Sequence, residues 1–189
     1  MKRILLIDGE NLKGKIKTIL KIEKEDFPAW HKYNFKGLFD KVLRGMNIDE
    51  VHFYFARIKL YPKSIEKSKQ LIEEQRLLKT HLENCGFKVI MAGSVRGNID
   101  RNNNLIFKEK GVDVRMGVDM IILACDKKCD SMILGSSDSD LQPAIKEVVK
   151  RGLECIYLGF ETKPNRGMIY TTTSNILIKN SEILKFRNN

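Results

Sequence analysis

Short, almost uninterrupted apolar runs alternate along the chain with longer stretches in which apolar residues recur every three or four positions. The runs at 3–7 (Arg-Ile-Leu-Leu-Ile), 51–55 (Val-His-Phe-Tyr-Phe), 87–91, 131–135 and 153–158 have the length and the β-branched and aromatic content of buried strands. Between them, 14–24, 35–44, 64–84, 113–127 and 140–151 read as helices. In 64–84, Pro62 closes the preceding unit and Ser64 stands at the cap position. Ile65, Leu71, Ile72, Leu78 and Leu82 fall on one stripe, and Cys85-Gly86 ends the helix. The stretch 93–111, rich in Gly and Asn, reads as an irregular connection of the kind that serves a site or moves. The tail from Thr171 to Phe186 adds a short strand or helix. Strands alternating with helices predict an α/β fold with a mainly parallel sheet covered on both faces. At 189 residues, without repeats or a dividing linker, the expectation is one domain spanning 1–189.

The acids that matter sit where this pattern changes element. Asp8 ends the first apolar run, Asp138 and Asp140 follow the run 131–135, and Asp113 opens a helix. Open α/β sheets bind ligands beyond the carboxyl ends of their strands, so adjacent placement of these strands brings the carboxylates together. Carboxylates gathered in this way repel unless a divalent cation lies among them, which makes Asp8, Asp113, Asp138 and Asp140 candidate ligands for Mg²⁺ or Mn²⁺ and the candidate catalytic set. The plainer readings are turns and caps. Gly9 lets the chain turn sharply and leaves Asp8 exposed, or else Asp8 bonds turn N–H groups while Asn11 caps the next helix. Asn11 otherwise holds the Asp8 carboxylate or a phosphate. Asp113 suits an N-cap or a first-turn acid. In Gly135-Ser136-Ser137-Asp138-Ser139-Asp140, the cap falls on Ser139 or Asp140, leaving Asp138 as the ligand, and Pro143 fits the first turn beyond. Asp119 points roughly 120° away from Asp113 on a helix of about 100° per residue, which puts it in a supporting rank with Asn11 and Lys110.

Charge sharpens this picture. The formal net charge is +10, and a basic chain with an acidic site suits a polyanion, although surplus lysines also serve solubility alone. Lys13, Lys15, Arg96, Arg101, Lys110 and Arg115 are candidates to follow a phosphate backbone. The four cysteines lack the paired spacing of a zinc site and read as buried, reduced thiols. His31, His52 and His81 share no ligand spacing; His52 alternates in a strand and His81 lies on a charged helix face. No apolar run approaches membrane-spanning length, and the first is too short for a signal-peptide core, so a cytoplasmic protein with no membrane partner is expected.

Three segments taken in order, Ile-Asp-Gly-Glu-Asn-Leu (7–12), Lys-Gly-Val-Asp-Val-Arg-Met-Gly-Val-Asp (110–119) and Ile-Leu-Gly-Ser-Ser-Asp-Ser-Asp-Leu (133–141), resemble the NYN-domain family of PIN-like ribonucleases. The resemblance runs from Arg3 to near Phe186. It implies a PIN-like three-layer α/β/α sandwich and a Mg²⁺- or Mn²⁺-dependent endoribonuclease acting on single-stranded or unpaired RNA. The family's first-strand acid falls on Asp8, its asparagine on Asn11, and its later acids on Asp113, Asp119, Asp138 and Asp140. Ser137 stands where glycine is usual, and Leu141 replaces the common phenylalanine. Two other readings stand beside this hydrolase: a non-cleaving RNA-binding regulatory module, and a metal-dependent phosphohydrolase of small phosphoesters. A haloacid-dehalogenase-type phosphatase is disfavoured because position 10 is Glu, where Asp would be needed. The sequence is compatible with a homo-oligomer.

Overall fold

The structure, a computed structural model, describes residues 1–99 and 105–187. In chain order it contains β1 (Arg3–Asp8), α1 (Gly9–Ile22), α2 (Phe35–Val42), β2 (Glu50–Arg57), α3 (Ile65–Asn84), β3 (Lys88–Ile99) and β4 (Leu105–Lys110). There follow α4 (Val112–Cys125), β5 (Ser131–Gly135), α5 (Gln142–Lys150), β6 (Glu154–Phe160), α6 (Arg166–Thr171), β7 (Ser174–Ile178) and α7 (Asn180–Lys185). Single 3₁₀ turns occupy Trp30–Lys32, Pro62–Ser64 and Ser139–Leu141. The strands form one sheet in the order β4-β3-β2-β1-β5-β6-β7, parallel throughout except for the antiparallel β3–β4 pair.

β1 lies at the centre and is apolar on both sides because helices cover both. Leu5 and Ile7 pack with Leu12, Ile16, Leu38, Leu78 and Ile183 on one face. Ile4 and Leu6 pack with Met116, Met120, Ile145, Val148 and Met168 on the other. Burying each such side chain contributes about 1.5–3 kcal/mol, so the two clusters hold the layers together. A one-residue slip of β1 would merely exchange two apolar faces, so hydrophobicity alone sets its register weakly. Polar contacts at its ends fix it. The Lys2 N–H donates to Asp130 at 2.5 Å, the Arg3 N–H donates to Asp49 at 2.7 Å, and Asp8 caps α1.

Several sequence expectations need correction. α1 begins at Gly9 rather than Gly14, because the Asp8 cap starts the helix directly at the strand's end. The third strand does not stop at Met91, and the described part of 93–111 is regular: β3 continues to Ile99 and pairs with β4, with Ser94 opposite Lys110 and Val95 opposite Glu109, while 100–104 lie outside the described residues. The polar, glycine-bearing sequence of this edge hairpin lacks the apolar run of an interior strand. Along α3, Leu78 and Leu82 are buried together with Ser68, whereas Ile65 is exposed. The tail from Thr171 supplies both element types, in β7 and α7. Cys129 and Cys155 are buried, but Cys125 is exposed and Cys85 half-buried. His81 turns inward to the Tyr33 carbonyl at 3.0 Å. Among the described residues no helix is long and apolar enough to cross a membrane.

Candidate metal centre

β1 and β5 are parallel neighbours, with Ile7 opposite Gly135, and the chain leaves them in opposite directions. From β1 it enters α1 on one face; from β5 it enters the turn Ser139–Leu141 and α5 on the other. Such a divergence opens a crevice at the carboxyl ends of the strands, the usual ligand position of an open α/β sheet.

Three of the four candidate ligands converge there. Asp113, Asp138 and Asp140 each offer a carboxylate oxygen, and the three oxygens lie within 4.8 Å of one another. Asp113 reaches this point from the first turn of α4. Gly111 holds the preceding position at φ +89°, a left-handed conformation that suits glycine, and turns β4 into the helix. Gly111, and not Asp113, is therefore the N-cap, so no cap bond occupies the Asp113 carboxylate. The assignment within the second turn is also reversed: Asp138 is the cap, its Oδ1 accepting the Asp140 N–H at 3.0 Å, and Asp140 is exposed in the first turn. One Asp138 oxygen remains outside that bond.

Asp8 is next to this group but more enclosed. It is only 8% exposed, against the expectation of an exposed carboxylate, and its Oδ1 accepts the Asn11 N–H at 2.9 Å. Burial raises its pKa, as do the charges of Glu10 and Asp138, while N–H groups of Asn11 and Glu10 oppose the rise. Gly9 is required for close approach rather than for a sharp turn: a Cβ there would lie 2.1 Å from the Phe55 ring. Asn11 neither caps its helix nor holds the Asp8 carboxylate with its side chain. Its Oδ1 accepts the Ser137 N–H at 3.1 Å and so ties the start of α1 to the turn that carries Asp138.

That turn has further supports which the sequence reading missed. Asn165 donates to the Ser137 carbonyl at 2.8 Å and to Ser139 Oγ at 3.2 Å, while its own Oδ1 caps α6 through the Met168 N–H. Ser137 Oγ lies 2.8 Å from Tyr157 Oη, so the serine that replaces glycine has a built partner. The Pro164-Asn165 pair ahead of a helix was the available signal for Asn165; nothing local marked Tyr157. Glu109, on β4, is a third omission. Burial, with Asp8 and Glu10 nearby, pushes its carboxyl up to about 7, against a backbone hydrogen bond from Ala56 and the charge of Lys13.

The supporting residues divide. Asp119 is two turns along α4, engaged by Arg115 at 2.8 Å and by the Tyr54 hydroxyl at 3.1 Å, and it is not in the group of converging oxygens. Lys110 is exposed at the end of β4. Of the basic residues, Lys13 pairs with Glu10 at 2.6 Å, and Arg115 is committed to Asp119. Lys15 lines a groove of about 310 Å³ together with Asn11 and Lys163. Arg101 and the Arg96 side chain lie outside the described residues. The convergent donors are hard carboxylate oxygens, and such a set fits Mg²⁺ or Mn²⁺ far better than a thiophilic metal.

Comparisons with known proteins agree with this architecture. Among curated proteins, none matches the chain. A protein of unknown function from Vibrio parahaemolyticus, known from a crystal structure, has a similar fold, with a TM-score of 0.58 at 20% identity over 94% of this chain and 92% of that one. The model of the NYN domain matches residues 2–177, which include all three motif segments and every acid described above. The chain thus belongs to the NYN domain family.

Proposed function

We propose that this chain is a PIN-like, divalent-metal-dependent endoribonuclease, with residues 1–189 acting as one domain that hydrolyses phosphodiester bonds in single-stranded or unpaired RNA. The observation that carries this reading is the convergence of Asp113, Asp138 and Asp140 at the switch point of the sheet. Family membership and a net charge of +10 support a polyanionic nucleic acid over a small phosphoester.

In this reading Asp113, Asp138 and Asp140 hold Mg²⁺ or Mn²⁺ and Asp8 contributes from the buried side. Mg²⁺ takes one or two carboxylates directly and keeps several waters, so some of these acids act through water. A bound ion would lower the pKa of an attacking water and neutralise charge on the leaving oxygen. The protein's own part is positioning. Asn11 and Asn165 hold the Asp138 turn from opposite sides, and Asp8 fixes the start of α1. Lys15 and Lys163, which line one groove with Asn11, would meet the phosphates of a bound strand. An unpaired strand suits the crevice because its phosphate can descend to the carboxylates without a second strand alongside.

The test is cleavage of a labelled single-stranded RNA by the wild type and by Asp138→Asn in Mg²⁺, Mn²⁺ or EDTA. Metal-dependent cutting that is lost in the variant is the expected result. RNA binding without cutting by either protein would favour the regulatory module. Turnover of small phosphoesters alone would favour the phosphohydrolase.

A further inference from the structure

A second groove flanks α1 on the side opposite Lys15. On the helix, Glu10, Lys13 and Lys17 share one face, while Asn11, Lys15 and Thr18 share another. The first face borders a cavity of about 370 Å³, within the range of small-molecule sites, walled by Trp30, Phe55 and Phe107 and lined also by Glu109. Its aromatic residues come from three separate elements. Trp30 belongs to the 3₁₀ turn after α1, Phe55 to β2 and Phe107 to the edge strand β4. Trp30 and Phe107 are only half-buried, and each ring is approached by lysine: Lys13 and Lys17 stand 5.8 and 5.7 Å from Trp30, and Lys67 stands 5.7 Å from Phe107.

The chemistry of this cavity selects its occupant. Glu10, Glu74 and Glu109 line it with Lys13 and Lys17, and Glu10 takes up Lys13 at 2.6 Å, so a phosphate finds no concentration of free positive charge inside. A flat, neutral ring with N–H donors meets aromatic faces and carboxyl acceptors instead. The cavity lies beside Asp8: Phe55 in its wall abuts Gly9, and Glu10 in its lining stands in the first turn of α1 after the Asp8 cap. Lys17 and Lys67, both exposed and standing by Trp30 and Phe107, are placed to meet backbone phosphates on either side of a ring held within.

We propose that this groove is a nucleobase subsite, which takes one unpaired base of an RNA strand while an adjacent phosphate faces the carboxylates. The assignment rests on the RNA reading above. Stacking of a base between aromatic side chains is tolerant of sequence, so the subsite selects for unpaired RNA over a duplex rather than for one base.

Trp30 is the chain's single tryptophan and reports the subsite directly. The experiment titrates Asp138→Asn, in Mg²⁺, with a short single-stranded oligoribonucleotide and with an abasic strand of equal length and charge, following tryptophan emission. Emission should change with the base-bearing strand and remain flat with the abasic one. In the wild-type background, Phe107→Ala should raise KM for RNA by about tenfold to a hundredfold with kcat little changed, the loss of one stacked base. Phe107→Tyr should restore it. Phe107 lies on an edge strand outside the two core clusters, so this variant avoids the packing of Trp30 against Tyr33 and Phe35. Equal responses to both strands, or wild-type KM in Phe107→Ala, would overturn the subsite while RNA cleavage by the wild type kept the nuclease reading intact. Base-dependent emission change without cutting by the wild type would support the subsite and sink the nuclease. Neither binding nor cutting would remove both.

Discussion

The two ends of the sheet carry acids at similar density and treat them in opposite ways. At the amino ends each is matched. Asp130 accepts the Lys2 N–H at 2.5 Å, Asp49 accepts the Arg3 N–H at 2.7 Å, Glu50 meets Lys2 Nζ at 2.6 Å, and Glu154 accepts the Ser131 hydroxyl at 2.8 Å. At the carboxyl ends Asp8 and Asp138 accept only N–H groups of their own turns, unlike the partners drawn from other segments at the amino ends, and Asp8, Asp113, Asp138 and Asp140 make no ion pair among the described residues. Cations are not scarce in a chain with 34 Lys and Arg against 24 Asp and Glu. The difference teaches that acids at one end serve register and docking, while those at the other are held together against their repulsion. A cluster of that kind is the arrangement a divalent cation would relieve.

The comparison breaks most sharply in catalysis. Asp138→Asn should lower RNA cleavage by at least about a hundredfold, since an ion's stabilisation of transition-state charge is worth several kcal/mol. Steady-state rates on a labelled single strand measure it, and a loss under threefold would remove Asp138 from the site. Next in size is metal linkage. With Mg²⁺ at ten times its Kd, binding adds about 1.4 kcal/mol, which raises Tm by roughly 3–6 °C for a chain of this size. Asp113→Asn should abolish most of that rise, and a wild-type Tm indifferent to Mg²⁺ would count against the centre.

A smaller effect concerns Glu109, whose carboxyl is pushed up to about 7 by burial and by Asp8 and Glu10, with Lys13 opposing. Between its unfolded value near 4.5 and about 7, the folded protein keeps a proton that the unfolded chain has released. Stability therefore falls as pH rises through this window and the penalty is complete above it. Glu109→Gln removes the penalty, so its Tm should exceed the wild type by a few degrees at pH 8 and converge with it near pH 4. Thermal melts across that range decide the sign.

The sheet was legible in the sequence because its central strands are buried on both faces and read as unbroken apolar runs, as in Ile4–Ile7 and Met132–Leu134. The acids were legible because they stand where those runs end. The β3–β4 hairpin was not: an edge strand needs no apolar run, and Ser94, Gly97 and Asn98 resemble a loop. The distribution of roles was also hidden. Whether Asp138 or Asp140 caps the turn depends on backbone placement, and Asn11 finds its partner, Ser137, far along the chain. Asn165 and Tyr157 support the site through contacts that only the packed α5–α6 and β6 region creates.

The smallest expected effect is the control at the other end of the sheet. Asp49 is exposed, accepts the Arg3 N–H at 2.7 Å and takes a second bond from Asn47 at 3.3 Å. Removing an exposed, charge-assisted bond of this kind costs about 0.5–1 kcal/mol, because water replaces the lost acceptor. Asp49→Ala should therefore lower Tm by roughly 1–4 °C, leave the Mg²⁺-induced rise intact and leave RNA cleavage at the wild-type rate. Neutralising one acid at each end separates general electrostatics from the site. If Asp49→Ala lost cleavage as Asp138→Asn does, the net charge of the chain would govern activity and the contrast between the two ends would have no functional meaning. If only the carboxyl-end variant fails, the same residue type has been given two different tasks by nothing more than which end of a strand it occupies.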